Sequence, residues 1–279
     1  MTDLPHVDGV EHRFVEAGGL RTHVAEAGEG APLLLLHGWP QHWYQWRGVI
    51  ERVAGERRLI APDLRGFGWT DAPDGPVNPD VFATDVIALL DALGLDRVDV
   101  AGHDWGGITS FLLSTRHPER IGKVLGLSAP HPWVPLSPRL ALEAWRGWYA
   151  IPLAAGVIGH DPGLAGRPIR REGVPQSDVD VYVDRLRERA RASATARLYR
   201  SALTSVVTNV PGGDPAPRSA APTLLMTGDK DPVVVPRLAE GLERGGDDMR
   251  FEPIPSAGHF ICDTHADVIA DRVRSHLGG

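Results

Sequence analysis

A single cysteine, Cys262, stands among 279 residues. No internal disulfide can form, and a reducing, cytoplasmic setting is expected. Positive charge is scarce as well: 29 Lys and Arg against 36 Asp and Glu give a formal net charge of −7, with no long basic block. That balance speaks against nucleic acid or an anionic membrane surface as a partner. No apolar run approaches the ~20 residues that cross a bilayer. The N-terminal MTDLPHVDG lacks the charged and then apolar pattern of a secretion signal. No histidine group has zinc-ligand spacing. Internal repeats and low-complexity tracts are missing too. Phe and Tyr are few, 6 and 4 against 8 Trp, which suggests indole-lined surfaces inside the protein. What is present, 42% hydrophobic and 23% charged residues, is an ordinary soluble composition. The length suits one large domain or a domain carrying an inserted subdomain.

Strand-like and helix-like runs alternate through the first 130 residues. HRFVEAGGLRTHVAEAG (12–28) reads as two strands joined at Gly18 and Gly19. PLLLLHG (32–38) and RRLIAPDLRGFG (57–68) begin as short continuous apolar runs, as strands buried on both faces do. NPDVFATDVIALLDALG (78–94) is an amphipathic helix with Asn78 to cap it, Pro79 in its first turn and Gly94 to stop it. RVDVAGH (97–103) is a strand, 105–118 a helix and KVLGLSAP (123–130) another strand. This alternation predicts a mostly parallel sheet covered on both faces.

The pattern then breaks. Residues 131–215 hold Trp133, Trp145, Trp148 and a polar helix over 178–200, whose arginines read as a solvated face. A linker follows over 211–222, and strand patterns resume at PTLLMTGDKDPVV (222–234) and MRFEPIPSAGHF (249–260) before a last helix over 266–277. The division expected is a core of 1–130 and 216–279 interrupted by a helical insert, 131–215.

VAGHDWGG (100–107) places Asp104 where a strand gives way to a helix, with Gly102, Gly106 and Gly107 around it. A tight strand–turn–helix corner lifts its central residue into the open and needs small neighbours. In an open α/β sheet, ligands bind at the carboxyl ends of the strands, where this corner lies. A helix N-terminus favours an anion by a few tenths to ~1 kcal/mol, and a carboxyl with a reference pKa of ~3.9 should be ionised at neutral pH. Helix capping is the simpler role for such an Asp. Two later loops bear on the choice. TGDKDP carries Asp229 and Asp231, and PSAGHF carries His259, each just past a strand. Either alone is an ordinary turn. Together with HGWP (37–40) they put a carboxylate, an acid, an imidazole and a backbone-donor loop at one edge of the sheet, in the chain order of α/β-hydrolases with Asp in place of Ser. No G-x-S-x-G occurs; GLSAP has Pro in the last position. Backbone N–H groups of Trp39 and Trp105 stand where oxyanion donors are needed.

The segments LLLLHGWPQHWYQW, RLIAPDLRGFGWTDAP, VAGHDWGG, TGDKDPVV and AGHF resemble the epoxide hydrolase and haloalkane dehalogenase branch of the α/β-hydrolase family. The resemblance covers nearly the whole chain. It implies an α/β-hydrolase fold with a helical cap, Asp104 as nucleophile, His259 as base and Asp231 as the acid orienting it, with Asp229 a weaker candidate. It implies His37 and Trp148 in the substrate pocket, a small apolar epoxide or halide and water as reactants, no cofactor, and a monomer or homodimer. Gln41 after HGWP and Tyr199 in ARLYR resemble epoxide hydrolases; Tyr199 would protonate the epoxide oxygen. A second cap tyrosine would fall a few residues past Tyr149, where the chain has Pro152, so Tyr149 itself is the substitute candidate. No acid follows KVLGLSAP, where some dehalogenases keep one; His131 stands there. Trp105 replaces the Arg of fluoroacetate dehalogenases. Epoxide hydrolysis is therefore the expected activity, haloalkane dehalogenation the alternative, and a non-catalytic ligand-binding homologue the remote one. Cys262 is expected to fill space, His103 to orient backbone or pack, and Asp63 to stabilise its glycine-rich loop.

Overall fold

The computed structural model describes residues 3–134, 144–158, 161–208 and 217–278. Eight strands form one sheet: β1 (Glu11–Ala17), β2 (Leu20–Ala27), β3 (Pro32–Leu36), β4 (Arg58–Pro62), β5 (Val98–His103), β6 (Ile121–Leu127), β7 (Thr223–Gly228) and β8 (Met249–Ile254). Their order is β1-β2-β4-β3-β5-β6-β7-β8. β1 and β2 form an antiparallel hairpin through Gly18 and Gly19, both at positive φ, and β2 is antiparallel to β4. From β4 to β8 every pairing is parallel.

Helices cover both faces. α1 (Arg47–Val53), α2 (Pro79–Ala92) and α3 (Trp105–Arg116) belong to the first half. Between β6 and β7 come α4 (Ala150–Ala154), α5 (Pro162–Arg171), α6 (Gln176–Asp184) and α7 (Arg189–Thr208); α8 (Ala266–Arg272) lies near the C-terminus. The apolar run of β3 divides by parity, as successive side chains of a strand must. Leu34 and Leu36 join Phe82, Leu89 and Phe111 of α2 and α3 in one buried cluster. Leu33 and Leu35 join Val49, Ile50, Ile269 and Val273 in the other, against α1 and the C-terminal helix. A strand buried on both faces has no polar side to show, which explains the unbroken leucines. Asn78 accepts a hydrogen bond from Val81 N–H at 2.9 Å, and Gly94 sits at φ +65, so α2 starts and stops where its sequence says.

The insert departs from expectation. The single polar helix over 178–200 is two helices, α6 and α7, separated by a short turn and by Glu188 in extended conformation. Nor do its arginines form one solvated face. Arg185 and Arg191 are buried, while Arg187, Arg189 and Arg200 are exposed. Arg185 Nε donates to the Gly68 carbonyl at 3.0 Å, and Arg191 Nη1 donates to those of Phe67 and Thr70 at 3.1 and 2.7 Å. The glycine-rich loop after β4 carries carbonyls that no strand or helix satisfies, and buried carbonyls need donors. The last helix ends at Arg272 and finishes in a wider π turn, Val273–Leu277. Residues 211–216 of the expected linker, part of the expected insert (135–143 and 159–160) and the Trp145 side chain lie outside the described residues. Among the described residues no helix is long and apolar enough to cross a membrane.

Candidate active site

Parallel pairing puts the carboxyl ends of β3, β5, β7 and β8 at one edge of the sheet. The loops leaving those ends carry Trp39, Asp104, Asp231 and His259. Asp104 links β5 directly to α3 at φ 52, ψ −117, a positive-φ conformation outside the left-handed helical well that L-residues seldom adopt. The glycines make the corner possible. A Cβ at Gly106 would strike the carbonyl oxygen of Leu36, and one at Gly102 the carbonyl oxygen of Gly106. The Asp104 side chain makes no capping hydrogen bond. It turns instead toward the β3 loop, where Trp39 N–H donates to its Oδ2 at 3.0 Å. Trp105 N–H is the second backbone donor toward it.

The helix N-terminus does not make this carboxylate comfortable. Burial pushes the Asp104 pKa up to about 6, against the opposing pull of His259 and of the Trp39 and Trp105 amides. Desolvation of a carboxylate outweighs these favourable contacts. His259 moves the other way from its own burial. Burial would lower it, but Asp231, then Asp104 and Glu172, raise its pKa to about 9. Its Nδ1 lies 2.9 Å from Asp231 Oδ2. The other Asp231 oxygen accepts from Val233 and Val234 N–H at 2.7 and 2.9 Å. Despite burial, the His259 imidazole and these amides hold Asp231 below the usual carboxylate range. Asp229, by contrast, is exposed and accepts from Ser256 N–H at 2.8 Å.

A cavity of about 630 Å3 opens over this edge, lined by Asp104, His259, Trp39, Tyr149 and Tyr199 among others. Tyr199 comes from α7 and Tyr149 from the turn before α4. Their rings meet edge-on, with centroids 6.0 Å apart, and Tyr199 also meets Trp39 and Trp105 edge-on at 5.5 Å. Burial and the nearby Asp104 charge hold both phenols above the usual tyrosine range, so both stay protonated at neutral pH. Tyr149 therefore shares the cavity even though Pro152 displaces the expected position. The Trp39 indole donates to Thr195 Oγ1 at 3.2 Å, and the Trp105 indole points at the Tyr199 hydroxyl at 3.5 Å.

Of the two expected pocket residues, Trp148 lies at the rim, 63% exposed, and His37 is not in the lining. His37 is buried behind it: Nε2 accepts from Leu64 N–H at 2.9 Å and Nδ1 lies 3.1 Å from the Gly38 carbonyl. Both ring nitrogens are thus engaged within the scaffold. His103 Nε2 donates to the His259 carbonyl at 2.9 Å, and burial brings its pKa down to about 3. Asp63 accepts from Trp43 and Trp69 N–H and pairs with His23, pinning the glycine-rich loop. Cys262 is fully buried, which pushes its thiol well up. Glu172, a cavity-lining residue just after α5, carries no motif that sequence reading could find.

Comparisons with known proteins bear on the fold. The sequence profile of the alpha/beta hydrolase fold matches residues 31–266. A soluble epoxide hydrolase of Corynebacterium sp. (strain C12) is 48% identical over 176 residues, 63% of this chain and 58% of that protein. Epoxide hydrolase 4 of Homo sapiens is 43% identical over 42% of this chain and 34% of its own length. The chain thus spans between a third and three fifths of these two relatives. The crystal structure of an epoxide hydrolase from Vigna radiata superposes with a TM-score of 0.80 at 25% identity, covering 98% of this chain and 99% of that one. Sheet order, carboxyl-edge loops and a profile match across most of the sequence converge: this chain belongs to the alpha/beta hydrolase fold family.

Proposed function

We propose that the protein hydrolyses epoxides to vicinal diols through an ester on Asp104. The observation that carries this reading is the meeting of two protonated tyrosines, half-buried Tyr149 and buried Tyr199, with Asp104 in one cavity. A carboxylate attacks a saturated carbon without a general base. The opening epoxide needs an acid for its departing oxygen, which a phenol supplies. Trp39 N–H engages Oδ2, leaving Oδ1 to attack. As the C–O bond breaks, one tyrosine gives its proton to the alkoxide, leaving a hydroxyalkyl ester and a tyrosinate.

The resting imidazolium of His259 faces the Asp104 anion. Ester formation removes that anion, weakening the hold of His259 on its proton, which passes to the tyrosinate. Neutral His259, oriented by Asp231, then takes a proton from water as the water attacks the ester carbonyl. The oxyanion forms against the Trp39 and Trp105 amides, in the place Oδ2 occupies at rest. Collapse breaks the bond between the tetrahedral Asp104 carbon and the ester oxygen, and His259 protonates the departing diol oxygen. The new Asp104 carboxylic acid returns its proton to His259, restoring the resting state. Insert residues 131–215 act as a cap that contributes both tyrosines. The likeness to epoxide hydrolases of Corynebacterium, Homo sapiens and Vigna radiata supports the substrate class. The single cysteine supports a cytoplasmic setting.

Halide release is less well supported, because both indole N–H groups near Asp104 already face protein acceptors. The deciding experiment offers a styrene-type epoxide and a bromoalkane separately and measures diol and bromide. Diol formation that falls at least tenfold in Tyr199→Phe is expected; bromide without diol reverses the reading. In heavy-oxygen water, one turnover must place label in the peptide carrying Asp104.

A further inference from the structure

Glu172 follows α5, in the insert, yet its carboxylate reaches the loop after β8. Oε1 accepts from His259 N–H at 2.8 Å and Oε2 accepts from Phe260 N–H at 2.9 Å. Two successive amides on one carboxylate form a charge-assisted clamp with fixed geometry. The approach is close enough that a Cβ at Gly258 would collide with the Glu172 carboxylate. His259 is then held at three points. Glu172 takes its N–H, His103 donates to its carbonyl at 2.9 Å, and Asp231 takes its ring Nδ1 at 2.9 Å. The second and third holds come from the core, His103 at the end of β5 and Asp231 in the loop after β7; only the first comes from the insert. With one amide on each oxygen, Glu172 is engaged as an anchor rather than placed as a second proton acceptor.

We propose that Glu172 is a positioning residue for the hydrolytic half of the reaction, tying the placement of His259 over Asp104 to the seating of the insert on the core. The inference rests on the covalent route proposed above. Its consequence is step-specific. Attack by Asp104 on the epoxide does not use His259 as a base, so loosening the His259 backbone leaves ester formation alone. Water activation needs the imidazole within hydrogen-bond reach of the attacking water, where a shift of about 1 Å costs up to a hundredfold. A carboxamide at 172 keeps one acceptor and turns a donor toward the other amide, so half of the clamp becomes repulsive.

The test mixes wild type, Glu172→Gln, Glu172→Ala and His259→Gln rapidly with styrene oxide, and follows ester by intact mass and diol by chromatography. Ester formation in both Glu172 variants should stay within about twofold of wild type. Ester hydrolysis should slow about tenfold in Glu172→Gln and further in Glu172→Ala, so that ester accumulates. Hydrolysis at the wild-type rate, or formation and hydrolysis falling by the same factor, overturns the positioning role. His259→Gln separates the two readings. If it accumulates ester and the Glu172 variants do not, only the role of Glu172 fails. If it accumulates none, the covalent route fails and this inference with it.

Discussion

At the scale of single residues, Asp104 works against the stability of the fold. Its pKa is raised from 3.8 to about 6, chiefly by burial. A raised folded-state pKa contributes stability below the unfolded value and loses it as pH climbs through the folded one. Above about pH 6 the ionised carboxylate is therefore a net cost, on the order of 3 kcal/mol for a shift of this size. Asn mimics the protonated form in size and charge. Asp104→Asn should lose all turnover yet melt higher at pH 7, with the gain gone by pH 4; paired thermal scans at the two pH values check it. The same shift sets the acid limb of activity. The attacking group must be ionised, so kcat/KM should fall tenfold per pH unit below about 6, against the value near 4 that an unperturbed Asp would give.

At the scale of elements, the elbow between β5 and α3 depends on backbone approaching backbone. Gly106→Ala places a methyl against the Leu36 and His37 carbonyl oxygens, and neither is a flexible side-chain end that could swing aside. Overpacking against main chain should cost about 3 kcal/mol in urea denaturation and should move Asp104 away from Trp39 N–H, lowering activity beyond the stability loss. This elbow was legible because its requirement is local: a β-former run, three glycines and a carboxylate occupy one stretch of sequence. The strands were legible for a similar reason. Leu33 to Leu36 face two helical layers at once, and no polar residue interrupts them. The insert was not legible, because what shapes it is remote. Arg185 and Arg191 look like solvated helix residues until the carbonyls of Gly68, Phe67 and Thr70 arrive from the β4 loop. Glu172 and the buried His37 fail for the same reason. Their partners lie 87 and 27 residues away in sequence, beyond the reach of any period or motif.

At the scale of the whole molecule, the insert is fastened to the core through one partly buried polar network as well as through apolar contact. Arg47 of α1 donates to Asp263 at 2.6 Å, to Tyr182 at 2.8 Å and to Asp178 at 2.7 Å. Tyr182 donates to Asp263 at 2.7 Å, and Gln41 bonds the other Asp263 oxygen. Asp178 and Tyr182 belong to α6 of the insert; Asp263 lies four residues beyond His259. The guanidinium thus joins insert, core helix and base-bearing loop. Asp263 is only 1% exposed, and burial raises its pKa against the pull of Arg47. Taking away one partner of such a pair leaves a buried carboxylate uncompensated, which costs about 3–5 kcal/mol. Arg47→Met preserves the aliphatic stem and should lower stability by that amount in urea titration. Adding Asp263→Asn should return a large part of the loss, because the orphaned charge rather than the missing bond is the dominant penalty. High salt should not reproduce the effect in wild type, since screening acts weakly on a pair whose carboxylate is buried. If 1 M salt destabilised wild type as much as Arg47→Met does, the anchoring would have to come from exposed ion pairs on the insert instead.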